Sequence, residues 1–394
     1  MRRLAPLCIL SCLAALSLPS AAQAQCGGSF SSFLSGIRSE AARKGLDARA
    51  IDRFLSGAKQ DQAVLRADRA QGIFQLPFTD FARRVISPNR IQNGARNAER
   101  YKSVFDGIEA KLGVSRGVLL AFWALETDYG AVQGDFNTRN ALLTLAHDCR
   151  RPDLFRPQVF AAIELTAHGD FDPATTTGAW AGEIGQVQML PRDILENGVD
   201  GDGDGHVRLK SSAPDALWSG AKMLRHLGWR PNEPWLQEVT LPATLDWSRT
   251  GLDTTRPVRD WARDGVTARG GSLPKSNLPA SVLLPQGRNG PAFLVYPNFQ
   301  VLFEWNKSFV YVTTAAYFAT RLEGAPVFDP GNPSAALSGA QIQQLQRKLT
   351  QRGHDVGGID GILGAKTRNA VQAEQKRLGM PADAWPTAAL LSKL

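Results

Sequence analysis

Residues 115–130 read SRGVLLAFWALETDYG, and this stretch limits the possible folds more than any other. Ser115 is a good helix N-cap, and the helix it opens is apolar on almost every face from Val118 to Leu125. A helix without a polar face is stable only when neighbours enclose it on all sides. The run therefore predicts a mainly α domain with this segment as its buried centre. It ends in a carboxylate, Glu126, followed by Thr127, Asp128, Tyr129 and Gly130.

Enough helical pattern surrounds the run to enclose it. Apolar residues recur at three- and four-residue intervals over 32–43, 47–55 and 96–112, the last closed by Gly113. Further helices are expected over 157–168, with Pro157 in the first turn, over 215–227 before Gly228, and over 307–322 before Gly324. Between 282 and 305 short apolar and aromatic runs are cut by Gly, Pro and Asn, which predicts a small β-rich insert. Residues 324–336 carry three prolines among Gly, Asp and Asn and read as a linker. After it, 337–394 hold three short helical patterns, 341–350, 367–378 and 388–394, as a small binding module would. The expected division is a signal peptide over 1–24, a catalytic domain over 25–323, the linker, and the module.

The N-terminal assignment rests on Arg2 and Arg3, an apolar stretch from Leu4 to Leu18, and the small-x-small site Ala22-Gln23-Ala24. Gln25 stands where a lipoprotein signal needs a small residue before Cys26, which speaks against lipid anchoring. No other stretch reaches 18 apolar residues, so no transmembrane segment is expected in the mature form, which is placed in the periplasm. Cleavage removes Cys8 and Cys12. Cys26 and Cys149 then remain, either as a disulfide or as two separately buried thiols. The formal charge of +8 falls to +6 with Arg2 and Arg3, too little over such a length for a nucleic-acid surface.

Several residues have chemistry to offer. Against Phe122, Trp123 and Leu125 the Glu126 carboxyl loses hydration, which raises its pKa toward the range of a general acid. In WAGEIGQVQMLP (180–191) glycines admit a ligand to the backbone, and Gln186 and Gln188 offer amides. Glu183 is either a second carboxylate for glycosidic chemistry or a surface residue. Asp200, Asp202 and Asp204, Gly205 and the carbonyl of His206 match the first half of an EF-hand calcium loop. Ser211 replaces its bidentate Glu, and Asp215 is the nearest carboxylate able to compensate. Arg150 and Arg151 suit anionic groups, and Asn306 suits a cap. The five His have no metal-site spacing, and no nucleophile elbow, P-loop or dinucleotide fingerprint is present, so no organic cofactor is expected.

In order along the chain, GVLLAFWALETDYG, CRRPDLF, GAWAGEIGQVQMLP, DGDGDGH, RPVRDWARDGV, LLPQGRNGPAFLVYPNF and EWNKSFVY resemble the membrane-bound lytic murein transglycosylase B family over residues 29–323. The tail is similar to a three-helix peptidoglycan-binding module through Asp360, Gly361, Gly364 and Thr367, with Ala365 for the usual Pro and Glu374 where an aromatic normally packs. The resemblance implies a lysozyme-like catalytic domain that cleaves between N-acetylmuramic acid and N-acetylglucosamine and forms a 1,6-anhydro product. Glu126 would first act as acid on the glycosidic oxygen and then as base toward the muramyl C6 hydroxyl.

By the same resemblance Gln188, Asn306 and Tyr311 (the end of EWNKSFVY) would bind substrate, and Arg150 and Arg151 the peptide stem. Asp200, Asp202, Asp204 and His206 would hold a structural Ca²⁺. Ala179 stands where the family commonly has Ser, and Glu183 where it is often small. Peptidoglycan strands and stem peptides are the expected partners, with other cell-envelope proteins as further candidates, and the chain is expected to be a monomer. The rival expectations are a muramidase-type hydrolase using water, with Glu183 as base, and a non-catalytic wall-binding protein.

Overall fold

The computed structural model describes residues 26–70 and 76–394, so the signal-peptide assignment lies outside the described residues. The first part of the chain is helical: α1 (Phe30–Arg43), α2 (Ala48–Leu55), α3 (Gln62–Arg69), α4 (Phe78–Val85), α5 (Pro88–Arg100), α6 (Lys102–Leu112) and α7 (Arg116–Thr127). Strand β1 (Phe136–Asn137) leads into α8 (Thr138–His147) and α9 (Pro152–His168), and β2 (Thr177–Gly178) returns to pair with β1. Helices α10 (Pro191–Asn197) and α11 (Ala213–His226) follow.

A five-stranded antiparallel sheet is then built from β3 (Leu236–Thr240), β4 (Arg256–Pro257), β5 (Thr267–Ala268), β6 (Pro279–Leu283) and β7 (Phe293–Val295), with α12 (Val258–Arg263) between β4 and β5. Its order is β4-β6-β7-β3-β5, with Val295 opposite both Ser281 and Leu236. Helices α13 (Pro297–Trp305) and α14 (Phe309–Leu322) complete this part, and α15 (Gly339–Gln351), α16 (Ala365–Arg377) and α17 (Ala388–Lys393) form the C-terminal bundle. Among the described residues no helix is long and apolar enough to cross a membrane.

Helix α7 is the enclosed centre that its sequence demands. Val118 through Ala124 are all buried, α14 lies along it, and Ser115 caps it by accepting from the Gly117 N–H. A separate core of Val258, Trp261, Val282 and Leu294 lies under the sheet, and a third of Ile342, Leu345, Val371 and Leu390 lies within the C-terminal helices.

Three local expectations change. The 96–112 helix is two helices meeting at Tyr101, whose ring packs edge-on to Trp123 at 5.6 Å. Helix α9 starts at Pro152, so Pro157 lies inside it; burial of Phe155 and Val159 offsets the missing N–H. The apolar run 297–305 is a helix opened by Pro297 rather than a strand, and the sheet begins at Leu236, upstream of the expected insert.

The C-terminal bundle docks on the rest of the chain through polar contacts. The Gln372 amide donates to the Trp247 and Thr250 carbonyls at 3.2 and 2.9 Å, and Asn369 donates to Asp253 at 2.6 Å. Within the bundle, Glu374 is buried and acts as an ionic hub: it meets His354 at 2.9 Å and Arg377 at 2.7 Å. This pairing is how a carboxylate is accommodated where the resembling modules pack an aromatic.

Candidate active site

Glu126 sits in the last turn of α7, where the backbone turns sharply away. Asp128, Tyr129 and Gly130 are successively left-handed, with φ of 51°, 61° and 87°. This costs free energy for the two non-glycine residues, and fixed partners hold them there. Arg90 of α5 pairs with Asp128 at 3.0 Å, and the Tyr129 hydroxyl donates to the Arg90 carbonyl at 2.7 Å. Gly130 has no alternative, since a Cβ there would lie 2.7 Å from Gln186 Oε1.

The carboxyl is held by two donors, one at the end of α13 and one in the first turn of α14. The Tyr311 hydroxyl donates to Glu126 Oε1 at 2.5 Å, and the Trp305 indole N–H donates to the same oxygen at 3.2 Å. Trp305 stacks on Phe122, one turn before the acid, with ring centroids 4.5 Å apart. Burial pushes the Glu126 carboxyl up to about 7; the two hydrogen bonds pull against that shift, and the charge of Glu183 adds to it. Tyr311 is raised well above an ordinary phenol by burial and by Glu126, so it stays a proton donor. A carboxyl of this kind is protonated around neutral pH and has a stabilised conjugate base, as one residue serving as acid and then base requires.

The glycine-rich turn 178–189 packs against the same end of α7. Thr127 Oγ1 donates to the Gln186 carbonyl at 2.6 Å, and the Trp123 indole donates to Gln186 Oε1 at 3.0 Å. Gln186 is thereby a buried staple of the turn rather than an amide offered to a ligand. Gln188 sits at φ 50° with its amide nitrogen 2.8 Å from the Gly185 carbonyl, which keeps its oxygen as the acceptor. Asn306 ends α13, and its Oδ1 accepts from the Ser308 N–H at 2.9 Å; its NH₂ is the group left to offer. Glu183 is partly buried in this turn. Its Oε2 is buried without a hydrogen-bond partner, and burial raises its pKa. That oxygen presents no face to a water, although the residue as a whole keeps some exposure.

Arg150 and Arg151 converge on Asp68, which is 2 % exposed on α3. Arg150 Nε lies 2.9 Å from its Oδ2, and Arg151 meets its Oδ1. Both guanidinium groups remain partly exposed, with Arg151 also over the Phe155 ring at 5.1 Å. Cys26 and Cys149 are joined by a disulfide, with Cα atoms 5.1 Å apart.

Asp200, Asp202 and Asp204 have carboxylate oxygens within 4.8 Å of one another on the loop between α10 and α11. Gly205 takes φ 88°, as the sharp turn at the sixth position of such a loop needs. The His206 ring is engaged by Asp170 at 3.0 Å, so the ring is not among the groups facing the cluster. Asp215 spends its carboxylate on backbone N–H groups of the same loop, from Gly201 at 2.9 Å and Arg208 at 2.7 Å. It braces the loop, and that is a different part from the compensating ligand expected of it.

Sequence reasoning passed over Trp305 as a functional residue. Its signal was a tryptophan in an apolar helix, whose N–H needs a partner when buried. A cavity of about 840 Å³ lies elsewhere, lined by Ile86, Ile91, Tyr317 and Phe328 among others.

The Transglycosylase SLT domain family matches residues 29–320, and the family described as a putative peptidoglycan binding domain matches residues 338–394. Among curated proteins, the membrane-bound lytic murein transglycosylase B of Escherichia coli K12 is 26% identical over 197 residues, 48% of this chain and 54% of that protein. The match thus spans about half the length of this curated relative. Among solved structures, SltB3 from Pseudomonas aeruginosa in complex with NAG-anhNAM-pentapeptide superposes with a TM-score of 0.85 at 37% identity, covering 93% of this chain and 99% of that one. The Escherichia coli lytic transglycosylase Slt35 in complex with calcium has a TM-score of 0.64 at 25% identity, covering 78% of this chain and 98% of that one.

Proposed function

We propose that this chain, which belongs to the Transglycosylase SLT domain family, is a lytic murein transglycosylase. It cleaves the β-1,4 bond between N-acetylmuramic acid and N-acetylglucosamine in peptidoglycan and leaves a 1,6-anhydro-N-acetylmuramic acid end. The observation that carries this reading is one desolvated carboxyl, Glu126, held by the Tyr311 and Trp305 donors.

In the first step Glu126 gives its proton to the glycosidic oxygen as the C1–O bond breaks. Tyr311 and Trp305 stabilise the carboxylate that forms. The C6 hydroxyl of the same sugar then bonds to C1, and Glu126 takes its proton back. One C–O bond breaks, one forms, no water is consumed, and the acid is regenerated. Because the nucleophile belongs to the substrate, its attack carries little of the entropy cost of a second reactant. Gln188 and Asn306 supply an acceptor and a donor to the sugars, and the exposed edges of Arg150 and Arg151 meet the carboxylates of stem peptides. Residues 337–394 form the wall-binding module, 25–323 the catalytic domain, and the enzyme works in the periplasm as a monomer after signal cleavage. Digestion of purified sacculi tests the reading. Fragments lacking reducing ends support it, and fragments with free reducing ends overturn it.

The pH dependence follows from the acid form being the active one. With Glu126 at about 7, kcat/KM is expected to fall as pH rises through that value, tenfold per pH unit beyond it. A rate flat through pH 7 and well above would contradict the assignment.

For the acidic loop, the donor set suits a hard cation. Three clustered carboxylates are braced by backbone N–H groups, and the His206 carbonyl stands at the seventh position, so Asp200, Asp202, Asp204 and His206 would hold Ca²⁺ as a structural ion. Calcium at about a hundred times its dissociation constant should stabilise the fold by about 2.7 kcal/mol. The melting temperature is expected to drop with EDTA and return with added calcium; identical melting curves would remove the ion from the account.

A further inference from the structure

Arg368 of α16 carries its charge deep into the seam between the C-terminal bundle and the rest of the chain. Its Nη2 donates to the Pro285 carbonyl at 2.5 Å and its Nη1 to the Leu284 carbonyl at 3.4 Å, just beyond β6. The guanidinium lies over two aromatics, 4.1 Å from the Phe309 ring centroid and 5.6 Å from that of Trp385. Burial pushes it down to about 9, so the site holds this cation at some cost, with Asp383 as its electrostatic partner.

Its place in the chain gives the cost a purpose. Phe309 is the first residue of α14, and the segment 305–311 around it carries both groups that hold Glu126. The same segment is braced internally, with Asn306 Oδ1 accepting from the Ser308 N–H and the Ser308 hydroxyl accepting from the Tyr311 N–H at 3.4 Å. We propose that Arg368 is a positioning residue for the acid: by bridging the Phe309 ring to the carbonyls of Leu284 and Pro285, the binding module fixes the segment that aims Trp305 and Tyr311 at Glu126. The module thus belongs to the catalytic apparatus as well as to substrate capture. The inference rests on the proposed acid role of Glu126.

The test uses the full chain and two substrates in parallel, purified sacculi and a soluble glycan of two disaccharides. A module that only captures wall affects turnover of sacculi alone. If Arg368 positions the acid, Arg368→Ala lowers kcat on both by at least about tenfold, within the ~10²-fold cost of a 1 Å misplacement, and leaves KM on the soluble glycan within about twofold. Loosened donors also cease to stabilise the carboxylate, so the alkaline limb of the rate profile moves to higher pH. The groups bearing on Glu126 are Tyr311 from α14, Trp305 from the end of α13, Glu183 from the glycine-rich turn, and Arg90 of α5 acting on Tyr311; of these the clamp touches the segment of the first two.

Arg368→Lys should resemble Arg368→Ala, because an ammonium cannot reproduce the planar fork and stack. Gln372→Ala, which cuts a different contact of the same seam, should change neither kcat nor the limb. Phe309→Leu removes the ring from the other side and should move the limb even where Arg368→Ala fails to fold. An unmoved limb in Phe309→Leu, unchanged kcat in folded Arg368→Ala, or an equal loss in Gln372→Ala would overturn the proposal. Failure of the acid assignment has its own signature, undiminished turnover by Glu126→Gln, and is read separately.

Discussion

Glu126→Gln should reduce turnover of purified peptidoglycan by about 10²- to 10⁴-fold, the range a positioned general acid supplies, and leave a folded protein. The amide keeps the shape and still accepts from Tyr311 and Trp305, so packing around Phe122 and Trp305 is preserved. What it lacks is a proton to give to the leaving oxygen. The same substitution has a stability signature of defined sign. Folding raises this carboxyl from its ordinary 4.5 to about 7, which disfavours the charged form in the native state. Linkage then places the cost above the unfolded pKa, growing as pH rises to the folded value and constant beyond it, on the order of a few kcal/mol. Gln removes that cost. The variant should therefore melt higher than wild type at pH 8 and match it near pH 4, while being nearly inactive at both. Retained turnover, or a loss of stability at pH 8, would refute the role given to Glu126.

Removing the disulfide should produce the largest change in stability. Cys26 and Cys149 close a sequence separation of 123 residues, for which the chain-entropy limit is about 4–5 kcal/mol and the usual measured range about 2–4 kcal/mol. The bond also secures a docked N-terminal segment. Gly27 N donates to the His147 carbonyl at 2.9 Å, and Phe30 and Phe33 pack edge-on to the His147 ring at 5.4 and 5.1 Å. Immediately after Cys149 come the two arginines that meet Asp68, so the bond anchors the arginine side of that ion cluster. Cys26→Ser with Cys149→Ser should lower the melting temperature by several degrees. Reductant should do the same to wild type and have no further effect on the double variant. Identical melting of both proteins, with and without reductant, would contradict this.

Much of the architecture was readable where the pattern was long and periodic. The enclosed helix α7 follows from an apolar run with no polar face, and the acid is legible because a carboxylate at the end of such a run must be desolvated. Short elements were less readable. Strands β4 and β5 span two residues each and carry no alternation to detect. The run after Pro297 has apolar residues on every face, so periodicity does not tell a buried helix from a strand there.

At the site, the limits come from sequence distance. The Trp305 indole finds its acceptor 179 residues away, and Arg150 finds Asp68 82 residues away. Neither pairing leaves a local trace. Gln186 and Gln188 are two residues apart in one turn, yet one is buried as a staple and the other keeps an acceptor, a difference set by contacts with α7. The seam closed by Arg368 was equally hidden, because a linker rich in proline says nothing about whether the domains it joins touch.

The central claim is that cleavage proceeds without water, the substrate's own C6 hydroxyl serving as nucleophile. Mass spectrometry of the muropeptides released from purified sacculi reads this directly. The account predicts products carrying the anhydro end, each lighter by one water than its hydrolysed counterpart and unchanged in mass when digestion is run in ¹⁸O-labelled water. Products at the hydrolysed mass that take up the label would contradict it and assign the chain to the hydrolases.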